Sequence, residues 1–225
     1  MAKRGAYMSV VPSNAKPRIF RHGGNRDRAG RVTCALSAKD VENLTLAMKA
    51  AYAIGLPLNR FVTVHWERAG IAPRKAAWAT GQFLKYTRDW LASKGLPFAN
   101  VWIRENDDGD GSKGDHVHIA LHIPKGITIG HRQQRWLRAI TGKPYCKGVI
   151  KTGRVGGTAN AATASPEHYQ DNLAYIAGYV LKGASKGDLG AFSIGRWGEG
   201  GRVVGQRCGM SKNLSRLIRQ RPIHL

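Results

Sequence analysis

The amino-acid sequence predicts an α+β protein with a central antiparallel sheet, helices packed on one face of it, and an open opposite face that bears the functional site. Two observations predict this class. Segments that alternate like strands are interspersed with segments of helical period, and two of the strands are joined directly as a hairpin. One hairpin strand, 116–123, is apolar on one face and carries histidines on the other. The apolar face is expected to form the core, and the histidine face is available for chemistry.

The first predicted elements are a helix and a strand. Ser37 is a suitable N-cap, and apolar residues recur at roughly helical spacing until a Gly-Leu-Pro sequence at 55–57 ends the helix. The strand at 61–66 then places Thr63 and His65 on one face and its even-numbered apolar residues on the other. This apolar face is expected to join the core.

A second helix and the hairpin follow. Apolar residues at helical spacing predict a helix over 74–93. Strands are predicted at 98–105 and 116–123, and the Asn-, Asp- and Gly-rich residues between them are typical of a turn. Pro124 ends the second strand. The hairpin therefore brings the end of its first strand beside the start of its second.

The second half of the chain is predicted to be mainly helical. A short helix is expected near 133–140 and a weak strand near Val149. The strongest helix signal comes next, with Ser165 as N-cap, Pro166 in the first turn and Gly183 after the last turn. This last helix carries two tyrosines that form part of a candidate site.

The charge of the chain indicates a polyanionic partner. The 225 residues include 36 Lys and Arg but 14 Asp and Glu, which gives a net charge of +22. Such an excess is typical of proteins that bind nucleic acid, whereas enzymes of small neutral metabolites have no need of it. Residues 1–33 are predicted to be a flexible basic arm, 34–190 the folded domain, and 191–225 a basic C-terminal tail. Both basic ends are expected to bind phosphates.

The sequence favours a cytoplasmic protein that does not enter a membrane. No run of residues approaches the roughly 18 apolar residues of a transmembrane helix, and the N-terminus lacks the apolar core of a signal peptide. The chain has three cysteines, an odd number, and none of them lies in a CxxC pair: Cys34, Cys146 and Cys208. A disulfide framework is therefore not expected, and the cysteine pattern favours a reducing compartment.

The histidines of the strand at 116–123 form the first candidate site. His116 and His118 point to the same face of a strand, about 7 Å apart, which is close enough to ligate one divalent ion. Exposed strand histidines without a metal are the alternative for a lone His-x-His pattern. His122 continues this face farther along and is interpreted as a structural or DNA-contacting residue.

Glu105 is the expected third ligand. The hairpin brings it beside His116, and a carboxylate suits Mg²⁺ or Mn²⁺. Glu105 shares strand parity with Val101 and Ile103, which are expected core residues, and a bulge or a change of register before the loop would be needed to turn it to the histidine face. The fallback ligands, which are more typical of turn formation, are Asp107, Asp108, Asp110 and Asp115.

Tyr175, Tyr179 and Lys182 form the second candidate site. Residues three and four positions apart are neighbours on a helix, so the two hydroxyls and the ammonium share one face. A phenol with a pKa near ~10 is a poor nucleophile at neutral pH. A divalent ion that polarises a phosphate and a nearby ammonium both help it to attack. The alternative is that the tyrosines pack on the core, as helix tyrosines usually do.

Three segments in this order resemble the HUH endonuclease superfamily, which includes rolling-circle replication initiators, conjugative relaxases and single-strand transposases. The segment 61–66 resembles the first motif of the initiators, and 116–118 resembles their histidine–hydrophobic–histidine metal motif. The segment 175–182 resembles the catalytic-tyrosine helix, with the YxxK form at 179–182 and the tyrosine spacing of two-tyrosine initiators. The resemblance covers roughly residues 60–183.

The resemblance implies an HUH, ferredoxin-like fold and a DNA-nicking mechanism. Tyr179 is implied as the nucleophile that stays attached to the 5′-phosphate, and Tyr175 as a second nucleophile. Lys182 is implied as a phosphate contact or an activator of the tyrosine. The metal ion, Mg²⁺ or Mn²⁺, is implied to be held by His116, His118 and a third polar ligand, and to orient the scissile phosphate.

The implied partner is single-stranded DNA at an origin or nick site, during rolling-circle replication of a phage or plasmid. Because the sequence contains no nucleotide-binding P-loop, a host helicase and polymerase are expected partners. Gly178 departs from the two-tyrosine pattern and leaves the role of Tyr175 open. Mobilisation or transposition would use the same chemistry. The alternative from another class is a non-catalytic basic DNA- or RNA-binding protein, which the net charge fits equally well.

Overall fold

A computed structural model describes residues 30–107, 114–191, 195 and 198–220. None of the helices within these residues is both long and apolar enough to cross a membrane. In chain order the elements are β1 (Val32–Thr33), α1 (Ala38–Ala53), β2 (Arg60–His65), α2 (Pro73–Ala92), β3 (Asn100–Asp107), β4 (Gly114–Leu121), α3 (Gly130–Thr141), β5 (Ile150–Arg154), α4 (Ala161–Ala164), α5 (Pro166–Leu181), α6 (Lys186–Ala191), β6 (Val203–Val204), β7 (Cys208–Met210) and α7 (Lys212–Gln220).

The central sheet has five strands in the order β5-β2-β4-β3-β7, and every neighbouring pair is antiparallel. β3 and β4 form the predicted hairpin, and β5 corresponds to the weak strand predicted near Val149. β1 and β6 form a separate two-stranded sheet. The predicted α+β class with a central antiparallel sheet is confirmed.

Helices lie against both faces of this sheet. On one face, α2 and α3 enclose an apolar cluster with residues of β2 and β4 such as Val64 and Val117. On the other face, α1, α5 and α7 enclose a second apolar cluster, which includes Val101, Ile103 and Ala120. The sequence indicated helices on one face and an open opposite face. In the structure, helices also cover the second face at these residues, because burial of their apolar side chains stabilises the fold.

Two of the helices that flank the second cluster, α1 and α5, begin differently. Ser37 caps α1 as predicted: its hydroxyl accepts a hydrogen bond from the backbone N–H of Asp40, and the Asp40 carboxylate accepts one from the backbone N–H of Ser37. α5 has Pro166 in its first turn, but Ser165, the predicted N-cap, makes no capping hydrogen bond with its side chain. α5 ends with Lys182 as its C-cap, so this lysine lies at the end of the tyrosine helix.

The two basic ends are partly described. The arm predicted at 1–33 lies outside the described residues except at its C-terminal end. The described part of the tail predicted at 191–225 packs against the domain, since β7 pairs with β3 and Leu214 of α7 is fully buried. The packed structure therefore extends beyond the predicted domain boundary at residue 190.

A buried ion pair stabilises the β3–β4 hairpin. The Arg104 guanidinium contacts both carboxylate oxygens of Asp115, and both side chains are 0% exposed. Arg104 Nη1 also donates to the carbonyl oxygens of Val204 at 2.8 Å and Gln206 at 3.0 Å. The sequence offered Asp115 as a fallback metal ligand, but in the structure its carboxylate pairs with Arg104.

Replacing Asp115 by alanine is expected to lower the free energy of unfolding by about 3–5 kcal/mol, because Arg104 then stays buried without a partner charge. Urea unfolding measures this loss. Asp89→Ala is the matched control, since Asp89 pairs with Lys85 and Arg88 at the surface, where ion pairs contribute little. Equal destabilisation by the two substitutions would contradict the role of the buried pair.

Candidate metal and tyrosine site

The register of the hairpin places the three predicted metal ligands on one face of the sheet. Glu105 of β3 lies directly opposite His116 of β4, and His118 follows two residues along. Directly paired residues of antiparallel strands share a face, so Glu105 needs no bulge or change of register. Val101 and Ile103 share its face, as strand parity predicts, but they belong to the second apolar cluster. The conflict expected from the shared parity of Glu105 with core residues does not arise, because both faces of the sheet carry an apolar core.

The three ligand atoms converge in a buried position. Glu105 Oε2 lies 3.5 Å from His116 Nε2 and 3.6 Å from His118 Nε2. One ligand atom from each residue lies within 4.8 Å of the others, and each residue is 4% exposed. The structure therefore contains a buried group, Glu105–His116–His118, that could hold a metal ion. We call it the ligand group.

Hydrogen bonds orient both imidazoles toward the centre of the ligand group. His116 Nδ1 lies 2.7 Å from the carbonyl oxygen of Gly114, and His118 Nδ1 lies 2.9 Å from the hydroxyl oxygen of Thr63. Because a carbonyl only accepts, His116 Nδ1 is the donor in this contact, and Nε2 is the ring nitrogen that faces Glu105. His118 Nε2 and Glu105 Oε1 are buried without a hydrogen-bond partner among the described residues. Such unpartnered atoms fit a bound cation.

The pKa shifts of two members of the ligand group, His118 and Glu105, also suit a cation. Burial lowers the pKa of His118 below its ordinary value, which favours the neutral imidazole. Burial alone raises the pKa of Glu105, but the neighbouring His116 and His118 side chains and the Lys182 ammonium outweigh it and hold that pKa well below its usual range. Neutral imidazoles and an ionised carboxylate are the forms that bind divalent cations.

Helix α5 places Tyr179 and Lys182 against the ligand group. The Tyr179 ring lies 5.2 Å from the His118 ring, centroid to centroid, in an edge-to-face arrangement. Lys182 Nζ lies 2.7 Å from Glu105 Oε2 and 4.9 Å from the centroid of the Tyr179 ring. The ammonium therefore links the carboxylate of the ligand group to the aromatic ring of the tyrosine.

Tyr175 has a different environment from Tyr179. It lies one turn earlier on α5 and is 63% exposed, whereas Tyr179 packs partly against the second apolar cluster. α5 continues through Gly178, where an added Cβ would meet nothing within 4 Å, so packing does not require glycine there. Of the two tyrosines, Tyr179 is the one whose ring contacts a predicted metal ligand.

Two other residues near the predicted site, His122 and Asp115, have partners outside the ligand group. Among the described residues, the ligand group does not include His122 or Asp115. His122 is buried, with Nδ1 2.9 Å from the carbonyl oxygen of Pro57. Asp107 ends β3, and Asp108 and Asp110 fall outside the described residues. Glu105 is therefore the acidic residue that the described structure brings to the histidines.

Thr63 and His65 of β2 flank the ligand group, and the sequence alone indicated no role for either residue. His65 lies opposite His116 with ring centroids 5.4 Å apart, and its Nδ1 is buried without a hydrogen-bond partner among the described residues. Burial, assisted by His116 and Arg68, lowers the pKa of His65 to about 4. Thr63 orients His118. Alternation along β2 predicted their shared face, but only the pairing of β2 with β4 brings that face to the site.

The chain has no match among protein-family models, curated proteins or solved structures. Its chemistry is therefore inferred from the geometry of the site. That geometry combines a buried ligand group, a tyrosine ring in contact with one of the ligands, and a lysine bonded to another.

Proposed function

We propose that this protein is a metal-dependent tyrosine endonuclease that nicks and rejoins single-stranded DNA through a 5′-phosphotyrosine intermediate. The observation that carries the proposal is the contact of Tyr179 with His118 of the ligand group. A tyrosine that only packs in a core needs no ligand group beside it, and a structural metal site needs no phenol or ammonium. The combination supports the resemblance to the HUH superfamily, in its rolling-circle initiator form.

The proposed reaction is a transesterification that exchanges one phosphoester bond for another. The phenol oxygen of Tyr179 loses its proton and attacks the phosphorus of a DNA phosphodiester. A P–O bond to Tyr179 forms while the P–O3′ bond breaks, and the leaving oxygen takes up a proton to become a 3′-hydroxyl. The 3′-hydroxyl of a returning strand reverses the exchange, so rejoining consumes no external energy.

The side chains around the phosphate have separate roles in this proposal. Glu105, His116 and His118 hold a divalent ion such as Mg²⁺ or Mn²⁺, which polarises the scissile phosphate when it is bound. The Lys182 ammonium lies beside the Tyr179 ring, where a positive charge stabilises the negative charge that develops on the phenol oxygen. Tyr175 is assigned to the second strand transfer of a terminating round.

The proposed partner is single-stranded DNA at an origin or nick site of a phage or plasmid. A net charge of +22 suits a phosphate backbone, and a host helicase and polymerase would supply unwinding and extension. Mobilisation and transposition are alternative settings of the same chemistry. A non-catalytic nucleic-acid-binding protein is the second candidate, which the net charge supports on its own.

A covalent-adduct assay distinguishes these two functions. Protein, Mn²⁺ and a mixture of single-stranded DNA sequences, labelled at either the 5′ or the 3′ end, are incubated and separated on a denaturing gel. We expect the 3′ label to migrate with the protein and the 5′ label to appear in a free, shortened strand. A chelator is expected to prevent both products. Binding without any covalent product would favour the non-catalytic function.

Lys182→Met is expected to separate metal binding from catalysis. The Lys182 ammonium is bonded to Glu105 Oε2, so it repels a cation that binds at the same carboxylate. Its removal is expected to tighten Mn²⁺ binding roughly tenfold, as measured by calorimetry. Adduct formation is expected to slow, because Tyr179 loses the neighbouring positive charge.

The matched control is Lys85→Met, which removes an exposed lysine of α2 that pairs with Asp89. This variant is expected to match the wild-type protein in both measurements. Weaker Mn²⁺ binding by Lys182→Met would contradict the competition and indicate that the lysine positions Glu105 as a ligand.

A further inference from the structure

Phe61 presents an aromatic ring beside the ligand group. The ring stacks on the imidazole of His118, with centroids 5.4 Å apart and planes inclined by 8°. Phe61 is half-buried, whereas His118 is buried. The phenyl ring therefore contributes to the surface next to the ligands.

The strand beside Phe61 leaves space next to its ring. β5 is an edge strand of the sheet, and its Gly153 lies directly opposite Phe61. Gly153 is exposed and is not in a left-handed conformation, so its backbone does not require glycine. An added Cβ would meet one atom within 4 Å, the carbonyl oxygen of Phe61 at 4.0 Å. Any other residue would project a side chain on the face that carries the phenyl ring.

Positive charges flank the same opening. Lys151 of β5 lies opposite Thr63, is exposed, and shares the face of Phe61. Arg68 is also exposed and follows three residues after His65, the last residue of β2, which lies opposite His116. This edge of the site thus combines an aromatic ring, a gap beside it and two cations.

We propose that Phe61 is the stacking platform for the nucleobase next to the scissile phosphate, and that the DNA strand enters over β5 with its phosphates near Lys151 and Arg68. This inference rests on the proposed function, because it describes how that site holds its substrate. Because Phe61 stacks on His118, a base on Phe61 brings its own phosphate close to the ligand group. Every unpaired base has a free π-face, so the platform selects single strands without reading their sequence.

Two labelled oligonucleotides of about 16 nucleotides test the platform on the full-length, metal-free protein. One is oligodeoxythymidine, and the other is an abasic strand with the same number of phosphates. Phe61→Leu is expected to weaken binding of oligodeoxythymidine roughly 5- to 100-fold and to leave abasic binding unchanged. Phe61→Tyr keeps a ring and is expected to bind as the wild type does. Lys151→Gln is expected to weaken both strands equally.

Gly153→Val tests the same platform without altering Phe61. Its β-branched side chain suits a strand and fills the space beside the ring, so the variant is expected to stay folded and to lose binding of oligodeoxythymidine selectively. Melting temperatures close to that of the wild type verify that the variants are folded. Wild-type binding by both Phe61→Leu and Gly153→Val, or an equal loss for both strands in Phe61→Leu, would overturn the proposal.

The proposed function can fail separately from the platform. Wild-type protein that forms the covalent adduct but binds the two strands equally would refute the platform and leave the endonuclease intact. Wild-type protein that prefers oligodeoxythymidine through Phe61 but forms no adduct would refute the endonuclease and leave a nucleic-acid-binding platform.

Discussion

Replacing Tyr179 by phenylalanine is expected to abolish the covalent protein–DNA adduct, with a fall in rate of roughly 10³-fold or more. The substitution removes the phenol oxygen and keeps the ring that packs against His118 and lies beside Lys182. Because the ring contact with His118 is kept, Mn²⁺ affinity is expected to stay unchanged. Denaturing gels with 3′-labelled DNA measure the adduct, and calorimetry measures the metal.

Tyr175→Phe is the matched control for this prediction. It removes the same oxygen from the same helix at a side chain that is 63% exposed. The first cleavage is expected to proceed, while transfer to a second strand slows. The reverse pattern, an adduct with Tyr179→Phe and none with Tyr175→Phe, would show that the nucleophile was assigned to the wrong tyrosine. Full attachment in the double variant would refute both assignments.

The second large effect is expected from the double variant His116→Ala/His118→Ala. It removes two of the three members of the ligand group, so Mn²⁺ affinity is expected to fall by more than about 100-fold and nicking to be lost. Glu105 would keep its bond to Lys182, so its buried charge stays compensated and the fold is expected to survive. Calorimetry, the adduct assay and circular dichroism measure the three quantities.

His122→Ala is the control for the loss of a buried histidine. It lies on the strand face predicted for His116 and His118, but its Nδ1 bonds to the carbonyl oxygen of Pro57 and it lies outside the ligand group. This variant is expected to retain Mn²⁺ binding. Nicking by the double variant at the wild-type rate would contradict the assignment of the metal ligands.

Local sequence rules predicted most of the elements that build the site. Strand alternation gave the shared face of His116 and His118, and the turn-rich loop gave the hairpin that brings Glu105 beside them. Helical spacing gave the common face of Tyr179 and Lys182. These features depend on residues close together in the chain, so a single sequence is sufficient to predict them.

Prediction from the sequence failed where a feature depends on contacts between residues that lie far apart in the chain. Val101 and Ile103 look like the core of a one-sided sheet, and only the packing of α1 and α5 shows that the histidine face carries a core of its own. The bond between Lys182 and Glu105 joins residues 77 positions apart. His65 reaches the site through the pairing of β2 with β4. No periodicity specifies these contacts.

The buried ion pair between Arg104 and Asp115 could not be predicted from the sequence for the same reason. Arg104 and Asp115 are charged residues at strand positions, and alternation alone predicts no partner for either. In the structure they pair across the hairpin, and Arg104 also donates to the carbonyl oxygens of Val204, the last residue of β6, and of Gln206. The described part of the basic tail predicted at 191–225 is thereby drawn into the domain.

The central claim is that a cation binds between Glu105, His116 and His118, next to the phenol of Tyr179. Anomalous X-ray diffraction from crystals soaked in Mn²⁺ tests it most directly. The expected result is a single strong peak within coordination distance of the Glu105 carboxylate and both Nε2 atoms, on the side of the sheet that carries the Tyr179 ring. Well-ordered side chains at all three positions with no peak between them at saturating Mn²⁺ would contradict the claim.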